Sequence, residues 1–109
     1  MSLEKTVYMN QLFELYGQLL TQKQAEMLAL YYEEDYSLSE IADHYEISRQ
    51  GVRDNIKRGE SSLETYEAQL KLLNRRQRRQ TYYQQILSMS NDQAVKQVIH
   101  TLIDEEYEQ

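Results

Sequence analysis

Cysteine and proline are both missing from this chain of 109 residues, and glycine occurs only three times. Without cysteine there is no disulfide framework, no thiol nucleophile and no cysteine-based zinc site, which suits a reducing compartment. Strand-and-turn architectures lean on proline and glycine, so their scarcity favours helices. No apolar run approaches the roughly 20 residues that span a bilayer. The opening MSLEKTVYMN also lacks the apolar stretch of a signal peptide. No glycine-rich phosphate loop or serine–histidine–acid set is recognisable, so the expectation is a non-enzymatic protein without cofactor or metal. The chain is expected to be all-α, soluble and cytoplasmic, with no membrane association and enough residues for one modest core.

What is present is helix-forming Glu, Gln, Leu, Lys and Arg, and an uneven charge. The net charge is −6, but it is not spread evenly. Residues 1–46 hold nine acids and two bases, residues 47–79 hold nine bases and four acids, and residues 80–109 hold one base and five acids. A basic middle between two acidic ends can bind phosphates locally, although long-range attraction is weak and affinity should be modest and salt-sensitive.

Apolar spacing predicts six helices. The first covers Glu4 to Leu19, with Tyr8, Leu12, Leu15, Tyr16 and Leu19 as its stripe. The second starts at Thr21, where Gln24 completes a capping box, and buries Met27, Leu28, Tyr31 and Tyr32 before leaving through Glu33, Glu34 and Asp35. The third starts at Ser37 with Glu40 in a second box, and turns Leu38, Ile41, Ala42 and Tyr45 inward. The fourth starts at Ser48, after a connection short enough to force a helix–helix corner. Val52, Ile56, Gly59, Leu63, Tyr66, Leu70 and Leu73 form a heptad seam along it. With no breaker before Asn74, this helix should run about 25 residues, or roughly 37 Å. The seam is expected to pack within the chain, against the first or last helix, or against a second copy. Gly59 in the seam suggests that another backbone passes close by. A fifth helix is expected over Arg76 to Leu87, with Tyr82, Tyr83, Ile86 and Leu87 on its apolar side. A sixth should start at a third capping box, Ser90 with Gln93, and carry Ala94, Val95, Val98, Ile99, Leu102 and Ile103. The acidic tail from Asp104 to Gln109 is expected to fray. These elements divide into a helix-turn-helix domain over 1–74 and a helical extension over 75–109.

The fourth helix carries the candidate site. Ser48, Arg49, Gln50, Arg53, Lys57 and Arg58 fall on its outer side, together with Asp54. Arginine pairs bidentately with guanine edges or phosphates, glutamine with adenine edges, and a helix N-terminus holds phosphate on its backbone N–H groups. The same residues could equally be an ordinary solvated face, with Asp54 and Glu60 as ion-pair partners. What favours nucleic acid is their place at the start of the second helix of a corner. Arg75, Arg76, Arg78 and Arg79 form a second basic tract, read either as phosphate contacts or as a solvated helix junction. Glu40 and His44 are spaced i, i+4, but two ligands make a weak metal site. The tyrosines fall mostly on apolar stripes, leaving Tyr36 and Tyr82 as stacking candidates.

Leu20-Thr21, Gln24, Tyr31, Ser39, Glu40-Ile41-Ala42 and Ile47-Ser48 resemble the pattern of sigma-factor region 4 and related tetrahelical regulators. The words YMNQLFELYGQLLTQKQ and EISRQGVRDNIKR are closer still to the YlxM-like helix-turn-helix family of Gram-positive bacteria, over about the first 75 residues. That resemblance implies a winged-helix-free domain of three or four helices, and a DNA-binding regulator in transcription. It also implies a link to the signal recognition particle, because the family's gene usually lies beside that of the particle's GTPase. A homodimer would suit paired half-sites. The competing reading is a module that binds signal recognition particle RNA, its GTPase or RNA polymerase. One departure is Glu46, which occupies the turn position where many such units place glycine. If Glu46 is left-handed there, it costs about 1–2 kcal/mol, unless the turn is looser. Gly51, in the first turns of the fourth helix, either permits a close approach or merely weakens the helix.

Overall fold

A computed structural model describes residues 2–107, and among these the secondary structure is entirely helical. The helices are α1 (Leu3–Tyr16), α2 (Gln22–Leu28), α3 (Leu38–Tyr45), α4 (Arg49–Leu70), α5 (Leu72–Met89) and α6 (Gln93–Glu106). They form two compact bodies, one ending at Lys71 and the other starting at Leu72.

In the first body each helix start is closed by a side chain. Ser2 Oγ accepts from the Lys5 amide at 3.1 Å. Thr21 with Gln24 and Ser37 with Glu40 make the two expected reciprocal boxes, each cap worth about 1 kcal/mol. The core is built on Leu12, Tyr16, Met27, Leu28, Ile41, Val52 and Leu63, all fully buried. At about 1.5–3 kcal/mol for a large apolar side chain, this burial is what holds α1, α2 and α3 on α4. In α1 the inward line is Met9, Leu12 and Tyr16; Tyr8 and Leu19, expected inside, are exposed. The α-helix ends at Tyr16 and tightens into a 3-10 turn over Gly17–Leu19, which breaks the register that would have carried the stripe to Leu19. The end of α2 departs the other way, widening into a π turn over Ala29–Glu33. There Tyr32 is buried and its hydroxyl donates to the Glu60 carboxylate, while Tyr31 stays half-exposed.

The seam of α4 is satisfied inside this body. Val52, Ile56, Gly59 and Leu63 are buried, Tyr66 is half-buried and Leu70 is exposed. The Tyr16 hydroxyl donates to Glu67 Oε1 at 2.7 Å, and that of Tyr66 donates to the Leu19 carbonyl at 3.3 Å. A Cβ on Gly59 would stand 2.8 Å from Leu28 Cδ1, so the close neighbour is a packed α2 side chain. The helix stops at Leu70, short of the expected Asn74, because Lys71 turns left-handed at φ 57°. At 22 residues it spans about 33 Å, and Leu73 belongs to α5.

The second body is the α5–α6 hairpin. Helix α5 is longer than expected and takes the whole arginine tract into its interior. Helix α6 is capped by Asp92, whose Oδ1 accepts from the Ala94 amide at 2.9 Å. Ser90 instead accepts from the Asp92 amide at 3.1 Å, so the expected Ser90–Gln93 box is replaced by a cap two residues later. The expected frayed tail is helical as far as Glu106; Glu108 and Gln109 lie outside the described residues. Of the apolar residues expected inside α6, only Ile99 is buried, while Val95, Val98 and Leu102 are exposed. Tyr82 and Ile86 on α5 and Met89 at its end are exposed as well.

Candidate nucleic-acid interface

The corner that aims α4 is closed by backbone alone. Glu46 is left-handed, at φ 56° and ψ 44°. The amide of Ile47 reaches back to the Ala42 carbonyl at 3.1 Å, the six-to-one bond of a Schellman ending. The turn is therefore tight rather than loose, and Glu46 carries the conformational cost without glycine's freedom. Ala42 is buried beneath the corner together with Ile41. Ser48 then opens α4, its Oγ accepting from the Gly51 amide at 3.0 Å. A Cβ on Gly51 would sit 3.2 Å from that oxygen, so glycine here leaves room for the cap.

From this start two rows run along the outside of α4. Arg49, Arg53 and Lys57 form one at i, i+4 spacing; Gln50, Asp54 and Arg58 form the next. All six are exposed. Gln50 Nε2 donates to Asp54 Oδ1 at 2.8 Å, so this amide is already oriented by its neighbour. Among the described residues, no ion pair engages Arg49, Arg53, Lys57 or Arg58. Asn55, beside the rows, is turned to the backbone and donates to the Gly51 carbonyl at 2.9 Å. A shallow cleft of about 320 Å³ lies between Leu38 and the side chains of Arg49, Gln50 and Arg53.

The second basic tract divides. Arg75 and Arg78 are exposed and in no ion pair among the described residues. Arg76 and Arg79, spaced i, i+3, both meet Glu106 of α6. Arg79 grips its carboxylate with two guanidinium nitrogens, one of them Nη2 at 3.2 Å from Oε2. Arg76 Nη2 donates to the Glu106 carbonyl at 3.1 Å, and its guanidinium carbon lies 5.1 Å from the centre of the Tyr107 ring. The Arg79 hydrogen bond holds the Glu106 carboxyl below its ordinary range despite partial burial, and raises the guanidinium in turn. Half of the tract thus clamps α5 to α6. The legible signal was the i, i+3 spacing of two arginines opposite an acidic tail.

Ser48–Arg58 and Arg75–Arg79 fall in different bodies. Of the stacking candidates, Tyr82 is exposed and Tyr36 half-buried. The Glu40 side chain accepts from the Ser37 amide at 3.1 Å, and His44 packs edge-on against Tyr45 at 4.8 Å. Among the described residues no three acidic, histidine or cysteine side chains gather closely enough to hold a metal, and no helix is long and apolar enough to cross a membrane. Sequence reading missed Lys5, Tyr31 and Leu38, which line a second cleft beside the rows. They come from three separate elements, and no spacing announces them.

Residues 3–105 match the UPF0122 family, described as "Putative helix-turn-helix protein, YlxM / p13 like". The chain is 47% identical over 104 residues to the UPF0122 protein YlxM of Bacillus subtilis, covering 95% of this chain and 94% of that one. It is 57% identical over 77 residues to a UPF0122 protein of Geobacillus kaustophilus, covering 71% and 70%. A third relative, a UPF0122 protein of Listeria innocua, is 46% identical over 104 residues, covering 91% and 94%. The likeness runs well beyond residue 75, through the α5–α6 hairpin. By that match and those relatives, the chain belongs to the YlxM / p13-like helix-turn-helix family.

Proposed function

We propose that the protein is a non-enzymatic, cytoplasmic DNA-binding regulator whose α4 enters the major groove. One observation carries this reading: the rows from Arg49 to Arg58 stand exposed at the N-terminal end of the second helix of a tight corner, with their cations in no ion pair among the described residues. On this reading Arg49 and Arg53 would meet base edges or phosphates, Gln50 an adenine edge, and Lys57 and Arg58 backbone phosphates. Ser48 sets the direction of the helix, and its N-terminal amides add an anion site. Arg75 and Arg78 are the members of the second tract open to a phosphate, while Arg76 and Arg79 support the hairpin. The gene neighbourhood implied by the family resemblance supports linking that regulation to the signal recognition particle operon or pathway.

The apolar face of α5 and α6 supports a second element of the reading, a pair of copies joined through their hairpins. Val98, Leu102, Ile86 and Tyr82 would then be covered, and two α4 helices would address paired half-sites. The acidic net charge and this same face favour the competing reading, a factor that binds a signal recognition particle component or RNA polymerase.

Fluorescence anisotropy on duplex DNA fragments at two salt concentrations separates them. Arg49→Ala with Arg53→Ala is expected to weaken duplex binding by about a hundredfold and to flatten the salt response. Unchanged duplex affinity in that variant, with loss of an RNA or protein partner in Arg75→Ala with Arg78→Ala, would establish the competitor instead.

A further inference from the structure

We propose that the cleft between α1, the π turn after α2, and α4 is a binding site for a small aromatic anion, a single ring bearing a phosphate or carboxylate. The cleft has a volume of about 350 Å³ and is lined by Lys5, Tyr31, Tyr32, Leu38, Arg53, Ile56, Lys57 and Glu60. That is the lower end of the range for small-molecule sites, and suits one ring with its substituent rather than a dinucleotide.

Its chemistry is two-sided. The floor is apolar: Tyr32 and Ile56 are buried, Leu38 and Tyr31 half-buried, and the two tyrosine rings meet edge to face at 5.0 Å. The rim is cationic, with Lys5 from α1 and Arg53 and Lys57 from α4, all exposed. The one carboxylate, Glu60, is occupied by the Tyr32 hydroxyl and by Lys5 Nζ at 3.7 Å. Arg53 and Lys57 are left without a counter-charge among the described residues. A ring over the tyrosines with its anion between Arg53 and Lys57 satisfies both halves.

Arg53 and Lys57 belong to the cleft and to the outer row of α4 alike. An anion in the cleft draws their charge away from the groove-facing side, so the ligand weakens DNA binding. That consequence rests on the DNA-binding reading; ligand binding in the cleft does not.

The test uses the full chain and phenyl phosphate, followed by amide chemical shifts in two-dimensional NMR. Binding with a dissociation constant on the order of 1 mM is expected, with shifts centred on Tyr31, Leu38 and Ile56. Inorganic phosphate, which lacks the ring, should bind about tenfold more weakly. Lys5→Gln and, separately, Lys57→Gln should each weaken phenyl phosphate several-fold in chains shown to be folded by circular dichroism. Lys5 lies off the α4 rows, so Lys5→Gln should leave duplex affinity unchanged. No shifts at tenfold that concentration, shifts confined to Arg49 and Arg58, or equal affinity for inorganic phosphate would overturn the proposal. So would an equal loss of duplex binding in Lys5→Gln, which would make the cleft a seat for a DNA phosphate. If phenyl phosphate binds as described while Arg49→Ala with Arg53→Ala leaves duplex affinity unaltered, the DNA reading fails and the cleft stands.

Discussion

The two bodies of this chain are made of the same material, amphipathic helices of two to six turns, yet they bury it differently. Up to Lys71 the apolar stripes of four helices converge, and Leu12, Met27, Ile41, Val52 and Leu63 lose almost all contact with water. From Leu72 onward two helices pair as a hairpin. Leu73 and Ile99 are buried there, while Val98 is 60% and Met89 84% exposed. Four amphipathic helices suffice to close a core; two leave much of their apolar surface exposed. The hairpin compensates with polar clamps, the grip of Arg76 and Arg79 on Glu106, where the first body relies on packing.

This contrast can be broken most directly by truncating the core. Leu63→Ala should lower unfolding free energy by about 2–5 kcal/mol, read by urea denaturation. Val98→Ala should change it by less than 1 kcal/mol in a monomeric chain. Comparable losses at the two sites would mean that the hairpin face is not open. The face itself is tested next. Val98→Glu with Leu102→Glu should abolish self-association in analytical ultracentrifugation, at least tenfold in dissociation constant, while near-ultraviolet tyrosine signals of the first body persist. A chain that is monomeric before substitution removes the paired-copy element.

A smaller effect is expected at the corner. Glu46→Gly relieves a left-handed glutamate whose amide bond to the helix is retained, and should raise stability by about 1 kcal/mol, seen as a higher melting temperature. No gain would mean that the Glu46 side chain has a compensating role. Smallest is the acid response of the hairpin. The Glu106 carboxyl is held below its ordinary value by Arg79. Its contribution is therefore complete above the unfolded carboxylate value and is lost as the pH falls through the depressed folded value. Glu106→Gln should remove that acid-side component from amide exchange in α6 and leave α3 unchanged. Because Arg79 is about half exposed, the size is that of a surface pair, well under 1 kcal/mol.

Local chemistry determined much of this protein from sequence alone. Thr21 with Gln24 and Ser37 with Glu40 announce helix starts because a cap needs only residues three apart. The Val52-to-Leu63 seam announces burial because its period matches the helix, and the outer face of α4 follows as its complement. Tertiary structure decided what spacing cannot express. Ser90 lost its cap to Asp92, since both offer an oxygen and only the geometry of the turn selects one. Leu19 lost its place inside when the chain tightened after Tyr16, Tyr8 gave way to Met9 on the inward line of α1, and Lys71 ended α4 with no glycine or proline to signal it. The division of the arginine tract, and the cleft joining Lys5 to Lys57, depend on residues brought together from distant parts of the chain. Periodicity records which side of a helix is apolar; which neighbour covers that side, and which charge meets which, is settled only when the helices pack.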